Sequence, residues 1–198
     1  MEDLIFELKR KLVHLSSVIY VIAYCIIKNL FSQRTSLLFL IFILVSLSFA
    51  EFIQIKFNKK IPFFHKLYRE NERNGFSGSI YLVLGIIIAF SAFEFNIAIT
   101  AIVMMIFGDA ASAIIGRLGK HRIDHLRISW EGIISEFLVD VAVGFIFLSN
   151  VPVILIMAFS ATVIEVLLKP VDDNLAVPVV AGFAGQSLLM ILRIFGLA

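Results

Sequence analysis

The sequence predicts an all-α fold: a polytopic integral membrane helical bundle of about seven transmembrane helices, forming one domain over residues 1–198. The first observation is composition, because 60% of the residues are hydrophobic and the mean hydropathy is +0.99. A soluble domain of this size has too little interior to bury so much apolar surface. The second observation is that several apolar runs reach about 17–20 residues, the length that crosses a bilayer core. Short alternating segments, typical of a membrane β-barrel, are not seen.

The first three predicted spans are separated by polar and charged segments. The charged lead-in, residues 1–11, leads directly into an apolar run at about 12–30, so we expect an uncleaved first span. A polar break precedes the second span, at about 36–55. The cationic segment 56–78 then separates the second span from the third, at about 79–93.

Short polar breaks define the other four spans. Glu94–Asn96 forms a tight turn after the third span, and a longer charged loop covers 116–132. Asn150 and Pro152 indicate a sharp hairpin, and the segment 169–174 is the last polar break. The remaining spans are predicted at about 97–115, 133–149, 151–168 and 175–196.

The distribution of cations predicts the orientation. With seven spans, the N-terminus and the loops at 56–78, 116–132 and 169–174 share one side of the membrane, and they hold all but three of the 17 Lys and Arg residues. The positive-inside rule assigns that side, including the N-terminus, to the cytoplasm. The absence of a targeting segment in so short a chain favours a prokaryotic plasma membrane.

Five acidic residues lie within or near the ends of apolar spans: Glu51, Asp109, Glu136, Asp140 and Glu165. Acids inside a membrane are costly and usually mark function. At about 1.5 Å per residue, all five fall in the cytoplasmic half, whereas a transporter places such groups nearer the midplane. We therefore expect a polar pocket open to the cytoplasm. For Glu51 and Glu165, an ion pair with a neighbouring cation at the interface is the alternative.

The stretch from Gly108 to Gly132 brings a carboxylate, flexible backbone and cations to one membrane surface, as phosphate chemistry at a lipid boundary requires. Gly108, Ser112 and Gly116 recur every four residues, which on its own favours close helix packing. Gly116 and Gly119 also flank Arg117, and such glycine loops with cations can cradle phosphate. Glu131 and Gly132 could alternatively be a simple helix start, where acids are favoured.

The last polar break carries Asp172, Asp173 and Asn174 at the start of a helix. One of them suffices as an N-cap. The others favour a divalent cation, which prefers oxygen ligands, or the ribose and base of a nucleotide. His14, just inside the first span, is either an interfacial anchor or a site residue.

Five segments together resemble the CTP-dependent polyprenol kinase family, which comprises dolichol kinase, phytol kinase and the CTP-dependent diacylglycerol kinases. Glu7–His14 resembles the family's E-x-x-R-K-x-x-H opening, and Glu72–Gly78 its polar approach to the third span. Gly108–Lys120 resembles the G-D-x-x-A-x-x-x-G-x-x-x-G-K signature with one residue fewer between glycines. Ser129–Gly132 matches the end of K-[ST]-x-E-G, and Asp172–Pro178 closely matches D-D-N-x-x-x-P.

The resemblance implies a membrane lipid kinase that transfers the γ-phosphate of CTP to an isoprenoid or related lipid alcohol at the cytoplasmic face, with Mg²⁺ or another divalent cation. The expected partners are CTP, the lipid alcohol and membrane lipids. Nucleic acid is not expected, and an oligomer is compatible with the sequence.

The resemblance also implies roles for individual residues. The residues expected to bind nucleotide are Gly116, Arg117, Gly119, Lys120, Arg127, Ser129, Gly132, Asp172 and Asn174. Those expected to coordinate the metal are Asp109, Glu131 and Asp173. Catalysis is assigned to Asp109, Asp140 and Glu131, with either aspartate open as acceptor of the alcohol proton. The lipid pocket is assigned to Arg10, Lys11, His14, Glu51, Glu136 and Glu165.

The chain departs from the family pattern at Ile128, where the family has Lys before the Ser or Thr. Arg127 precedes it and is the candidate replacement cation, although a guanidinium is not equivalent to an ammonium. Two alternative functions stay open. A cytidylyltransferase would place CMP on a lipid phosphate and release pyrophosphate, since CDP-diacylglycerol synthases carry a related pattern. A small membrane transporter or structural membrane protein is the alternative outside enzymes.

Overall fold

The computed structural model describes residues 14–57, 77–123, 128–167 and 171–197, in which seven α-helices and one two-stranded sheet form. The helices are α1 (Val18–Leu30), α2 (Gln33–Phe57), α3 (Gly78–Ala92), α4 (Phe95–Leu118), α5 (Trp130–Phe147), α6 (Val151–Leu167) and α7 (Asp173–Ile194). The strands are β1 (Arg122–Ile123) and β2 (Ile128–Ser129), which pair antiparallel between α4 and α5. The predicted all-α class is confirmed.

Three of these helices are long and apolar enough to cross a membrane: Gln33–Gln54 within α2, Phe95–Leu118 and Asp173–Ile194. Three shorter apolar helices accompany them, at His14–Leu30, Gly78–Ala92 and Val151–Leu167. By length and composition, the fold is therefore that of a helical membrane protein.

Helix α4 lies at the centre of the bundle and contacts α1, α3, α5, α6 and α7. Of the residues in the most apolar 18-residue stretch of α4, 67% are buried within the protein, whereas only 17% are buried in the corresponding stretch of α2. Helix α2 packs mainly on α1 and α3 and presents Leu38, Phe42 and Phe49 outward. Large apolar side chains on an outer surface are expected where lipid rather than water surrounds a protein.

Two helix boundaries near the charged loop differ from the prediction. Helix α4 continues to Leu118 instead of ending at 115, so Gly116 and Arg117 are helical and the prediction of a flexible loop beginning at Gly116 is wrong. Gly119 ends the helix, and its N–H donates to the carbonyl of Ile115 at 3.0 Å. Helix α5 begins at Trp130 instead of 133, because the Ser129 hydroxyl caps it by accepting from the N–H of Gly132 at 3.1 Å.

A short β-hairpin joins α4 to α5, an element that the sequence did not predict. Arg122 pairs with Ser129 and Ile123 with Ile128. The N–H of Trp130 donates to the carbonyl of His121 at 3.0 Å and extends the pairing to the start of α5. The hairpin holds the end of α4 close to the beginning of α5.

At the opposite end of the bundle, a polar network joins the turn before α4 to the end of α7. Both carboxylate oxygens of Glu94 accept from Arg193, at 2.5 and 2.9 Å. The Gln186 side chain donates to Glu94 at 3.1 Å and accepts from its N–H at 2.9 Å. The hydrogen bonds from Arg193 hold the pKa of Glu94 below its usual range. This network joins the start of α4 to the last turns of α7.

Candidate functional site

Four acidic residues on three helices lie close enough to influence one another electrostatically, and we call them the acidic cluster: Asp109 on α4, Glu136 and Asp140 on α5, and Glu165 on α6. Asp109 lies near the end of its helix, whereas Glu136 and Asp140 lie one turn apart along the next. Glu136 is 2% exposed and Asp140 is 1% exposed. The antiparallel course of successive helices thus brings the four carboxyl groups, far apart in sequence, to one end of the bundle.

Glu136, on α5, and Glu165, on α6, lie within electrostatic range of each other. The hydroxyl of Ser112, on α4, donates to Oε1 of Glu165 at 2.8 Å. Ser112 therefore helps to orient Glu165, a role that the small-residue spacing alone did not reveal.

Asp140 lies beside Gly108, where α5 approaches α4. A Cβ atom placed on Gly108 would lie 2.5 Å from Oδ1 of Asp140 and 3.2 Å from Cγ of Glu136. Neither carboxylate oxygen of Asp140 has a hydrogen-bond partner in the described parts of the chain. Gly108 is thus required by the close approach of these two acidic side chains.

His14 connects the beginning of the described chain to the cluster. Its Nε2 lies 3.5 Å from Oδ2 of Asp109, and both side chains are 14% exposed. His14 and Asp109, placed in the site by the sequence, therefore lie together and are more accessible than Asp140. Arg10, Lys11 and Arg127, which were also expected at the site, lie outside the described residues.

The last polar break forms the beginning of α7 next to the cluster. Asp172 is the N-cap, and its Oδ1 accepts from the N–H of Asn174 at 3.1 Å and from Nδ2 of Asn174 at 2.7 Å. Burial and the neighbouring Asp173 raise the pKa of Asp172 to about 6. Asp173 also lies within electrostatic range of Glu165. The Asn174 carbonyl packs on Gly85 of α3, 2.5 Å from where a Cβ would lie.

Glu131, one of the expected metal ligands, lies at the turn between α4 and α5. Its Oε1 accepts from the N–H groups of Lys120 and His121, at 3.0 and 3.2 Å, and lies 2.8 Å from Nδ1 of His121. Backbone hydrogen bonds and the His121 ring lower the pKa of Glu131 to about 2. A Cβ on Gly119 would lie 2.5 Å from Oε2 of Glu131. Glu131 thus latches the turn after α4 to the start of α5.

The latch lies well away from Asp109. Gly119 follows Asp109 by ten residues, which corresponds to about 15 Å along a helix. The structure therefore does not bring Glu131 to Asp109 as a joint metal ligand. Across the described residues, no three His, Cys, Asp or Glu side chains are arranged so that they could hold an ion.

The remaining residues assigned to the nucleotide divide into packing and charged groups. Gly116 and Gly132 face each other where α4 and α5 cross, and Ser129 is 2% exposed and serves as the cap of α5. The face of Gly108, Ser112 and Gly116 packs on α5, as the helix-packing interpretation predicted. In contrast, Arg117, Lys120 and Arg122 are exposed around the hairpin and form a cationic rim.

Glu51 belongs to another part of the bundle. It is 7% exposed, accepts from the N–H of Ser77 at 3.0 Å and also bonds the Ser77 hydroxyl. Ser77 directly precedes α3. Glu51 therefore satisfies a donor at the helix N-terminus, where negative charge is favoured, and a local structural role accounts for these contacts.

Comparison with known proteins finds a bacterial relative of similar length. The chain is 29% identical over 192 residues to "Uncharacterized protein RP860" of Rickettsia prowazekii (strain Madrid E), covering 89% of this chain and 92% of the relative. No family model matches the chain. No solved structure matches it either.

Proposed function

We propose that the protein is a membrane lipid kinase that transfers the γ-phosphate of CTP to the hydroxyl group of an isoprenoid or related lipid alcohol. The sequence resemblance supplies the reaction class. The observation that carries the proposal is the position of Glu165, which lies within electrostatic range of both Asp109 and Asp173. These two aspartates belong to separate motifs of the resemblance, and their common neighbour supports a single site built from both.

The exposed cations support a nucleotide at the same end of the bundle. Arg117, Lys120 and Arg122 are exposed close to the hairpin, where a soluble triphosphate can reach them. The Glu131 latch orders the backbone on either side of Lys120. In this proposal, Lys120 and Arg117 neutralise phosphate charge, and Glu131 is a positioning residue.

Two of the three residues expected to coordinate Mg²⁺ suit that role. This ion usually binds one or two protein carboxylates, with water and substrate phosphates completing its shell. Asp109 and Asp173, both near Glu165, suit that mode, whereas Glu131 is engaged by Lys120 and His121. When bound, Mg²⁺ neutralises charge on the transferring phosphoryl group.

Asp109 is the better of the two candidates for the proton acceptor. Its side chain is 14% exposed, whereas Asp140 is 1% exposed and lies deeper beside Gly108. An alcohol whose tail lies between helices can bring its hydroxyl to Asp109, which takes the proton as the oxygen attacks the γ-phosphorus and CDP leaves. His14, 3.5 Å from Asp109, orients that carboxylate.

The cationic loops support a membrane topology for this reaction. We infer seven spans with the N-terminus, the hairpin and the acidic cluster on the cytoplasmic side, in a prokaryotic plasma membrane. CTP then reaches the site from the cytoplasm, while the alcohol reaches it from the bilayer.

The test uses purified full-length protein in detergent with γ-labelled CTP, Mg²⁺ and a panel of lipid alcohols. Label is expected in the lipid phase, and Asp109→Asn should reduce its appearance by about 10²–10⁴-fold, the usual contribution of a general base. Glu94→Gln, which alters an acid at the opposite end of the bundle, is the matched control and should retain activity. If Asp109→Asn remains fully active, the assignment of the base is wrong. Pyrophosphate release with a lipid phosphate, without label transfer, would instead indicate a cytidylyltransferase.

A further inference from the structure

We propose that the loop joining α4 to α5 binds the head groups of anionic phospholipids, with Arg122 as its charged contact and Leu118 and Trp130 as its apolar anchors. Leu118 is the last residue of α4, Arg122 lies in β1, and Trp130 is the first residue of α5. Residues 124–127, at the tip of the hairpin, lie outside the described parts of the chain and are not among the proposed contacts. This lipid-binding surface requires neither CTP nor the kinase assignment.

An exposed apolar stripe on α5 ends at this loop. Trp130, Ile134 and Leu138 recur every four residues, which places them on one face of the helix, and all three are exposed. In a helical membrane protein such a face contacts the acyl chains, which are as apolar as the side chains themselves. Trp130, at the end of the stripe and 57% exposed, is therefore placed at the level of the head groups, where tryptophan is enriched in membrane proteins.

A second exposed stripe, on α4, ends on the other side of the hairpin. It consists of Phe107, Ile114 and Leu118, which are seven and four residues apart along the helix. Because Phe95–Leu118 is long and apolar enough to cross a membrane, Leu118 marks the point where the chain leaves the apolar layer. Apolar anchors thus lie on both sides of the hairpin and keep it against the membrane surface.

The charge of the loop selects anionic lipids. Arg117 to Ile123 contains three Lys and Arg residues and no acid. Neither Lys120 nor Arg122 forms an ion pair within the described parts of the chain. The nearest described acid, Glu131, accepts from backbone N–H groups of the turn. Cations next to a membrane span are attracted to the negative surface of an anionic leaflet.

Cations at the opposite end of the bundle are engaged within the protein. Arg193 donates to both carboxylate oxygens of Glu94, and Nζ of Lys28 lies 3.5 Å from the centroid of the Phe95 ring. The exposed cation of β1 has no such internal contact among the described residues. The two ends of the bundle therefore differ, and the hairpin end is the one suited to an external anionic partner.

The apolar anchors distinguish a phospholipid from a free phosphate. A soluble anion needs only cations and gains nothing from exposed Leu and Trp side chains, whereas a phospholipid satisfies both kinds of group. Arg122 is not among the cations assigned to the nucleotide, so a lipid at Arg122 is compatible with CTP at Lys120 and Arg117.

The experiment uses the fluorescence of Trp130, the single tryptophan of the chain. Full-length protein is reconstituted without nucleotide into bilayers of phosphatidylcholine and phosphatidylglycerol, in which only one of the two lipids carries brominated acyl chains. Bromine quenches tryptophan on contact, so comparing the two labelling schemes gives the preference of the loop for the anionic lipid.

Wild-type protein should prefer the anionic lipid. Arg122→Gln should lower this preference by about fivefold, the contribution of one cation close to an anionic surface. About 1 M NaCl, where the Debye length is about 3 Å, should remove it. Arg34→Gln is the matched control, because it removes an exposed cation where α2 begins, at the other end of the bundle, and should leave the preference unchanged.

Several outcomes would overturn the proposal: neither brominated lipid quenches Trp130, both quench it equally, or Arg122→Gln keeps the full preference. Inorganic phosphate at constant ionic strength should not change the quenching. If phosphate removes the preference, the loop is a site for a soluble anion and the lipid proposal is wrong. A clear anionic preference in a protein that transfers no label from CTP would leave the lipid-binding surface standing and remove the kinase.

Discussion

Replacing Gly132 with Ala tests how closely α4 and α5 must approach to build the site. A Cβ on Gly132 would lie 3.0 Å from Cα of Gly116 and 3.1 Å from the carbonyl oxygen of Ser112. Both contacts are with helix backbone, which cannot rotate away as a side chain can. The extra methyl group must therefore separate the two helices, and overpacking of this kind costs about 1–3 kcal/mol.

Gly116→Ala is the matched control because it adds the same methyl group to the same crossing from the other helix. There the nearest atoms, Cα of Gly132 and Oγ of Ser129, lie 3.4 Å away, an ordinary contact. Alanine is also favoured over glycine in a helix by about 0.5–1 kcal/mol. We therefore expect little change or a slight gain in stability for Gly116→Ala.

The assay is thermal unfolding followed by circular dichroism, with all variants in one detergent. At about 2–4 °C per kcal/mol for a chain of this length, Gly132→Ala should lower the Tm by several degrees relative to Gly116→Ala. Lipid kinase activity should fall with it, since Glu131 and the Ser112–Glu165 hydrogen bond lie at the same crossing. Equal Tm values for the two variants would refute the reasoning from backbone contact.

Two further predictions concern the ends of the bundle. Glu131→Gln should release the turn around Lys120, measured as faster trypsin cleavage after Lys120 and Arg122. Because the pKa of Glu131 is lowered to about 2 from an ordinary 4.5, its stabilisation is complete above the ordinary value and is lost only as pH falls through about 2. The Tm deficit of Glu131→Gln should therefore be present at every pH above about 4.5, and its absence in that range contradicts the latch. Arg193→Gln should lower the Tm only slightly, since Arg193 and Glu94 are 51% and 43% exposed and an exposed ion pair contributes little. The lowered pKa of Glu94 means that this loss is present above its ordinary value of 4.5 and disappears as pH falls through the lower folded value, so a Tm difference that persists in strong acid would contradict the pairing.

The helices could be predicted from the sequence because apolar runs of spanning length carry a strong and local signal. Their ends could not be placed as well, since a cap decides them. Ser129 caps α5, which therefore begins at Trp130, three residues before the predicted start, and α4 continues three residues past its predicted end to Leu118. The hairpin was missed because two strands of two residues show no periodicity.

The acidic residues were recognisable individually, and counting residues along each span placed them at one level. Which ones touch depends on how helices distant in the sequence pack. The hydrogen bond between Ser112 and Glu165 joins α4 to α6, Glu136 of α5 lies near the same carboxyl group, and no local pattern encodes this arrangement. The assignment of Glu131 to a metal followed from its motif, whereas its position follows from backbone donors ten and eleven residues upstream.

Helix α4 lies at the centre of the bundle, but it is synthesised before α5, α6 and α7, which supply most of its contacts. Two of these later helices, α5 and α6, also carry the acidic neighbours of Asp109. An Asp at the middle of an inserting helix carries a penalty of about 2.5–3.5 kcal/mol, but Asp109 lies in the second half of α4, within ten residues of its end. The acidic cluster can form only once α5 and α6 have packed on α4, so assembly of the site is a late event in biosynthesis.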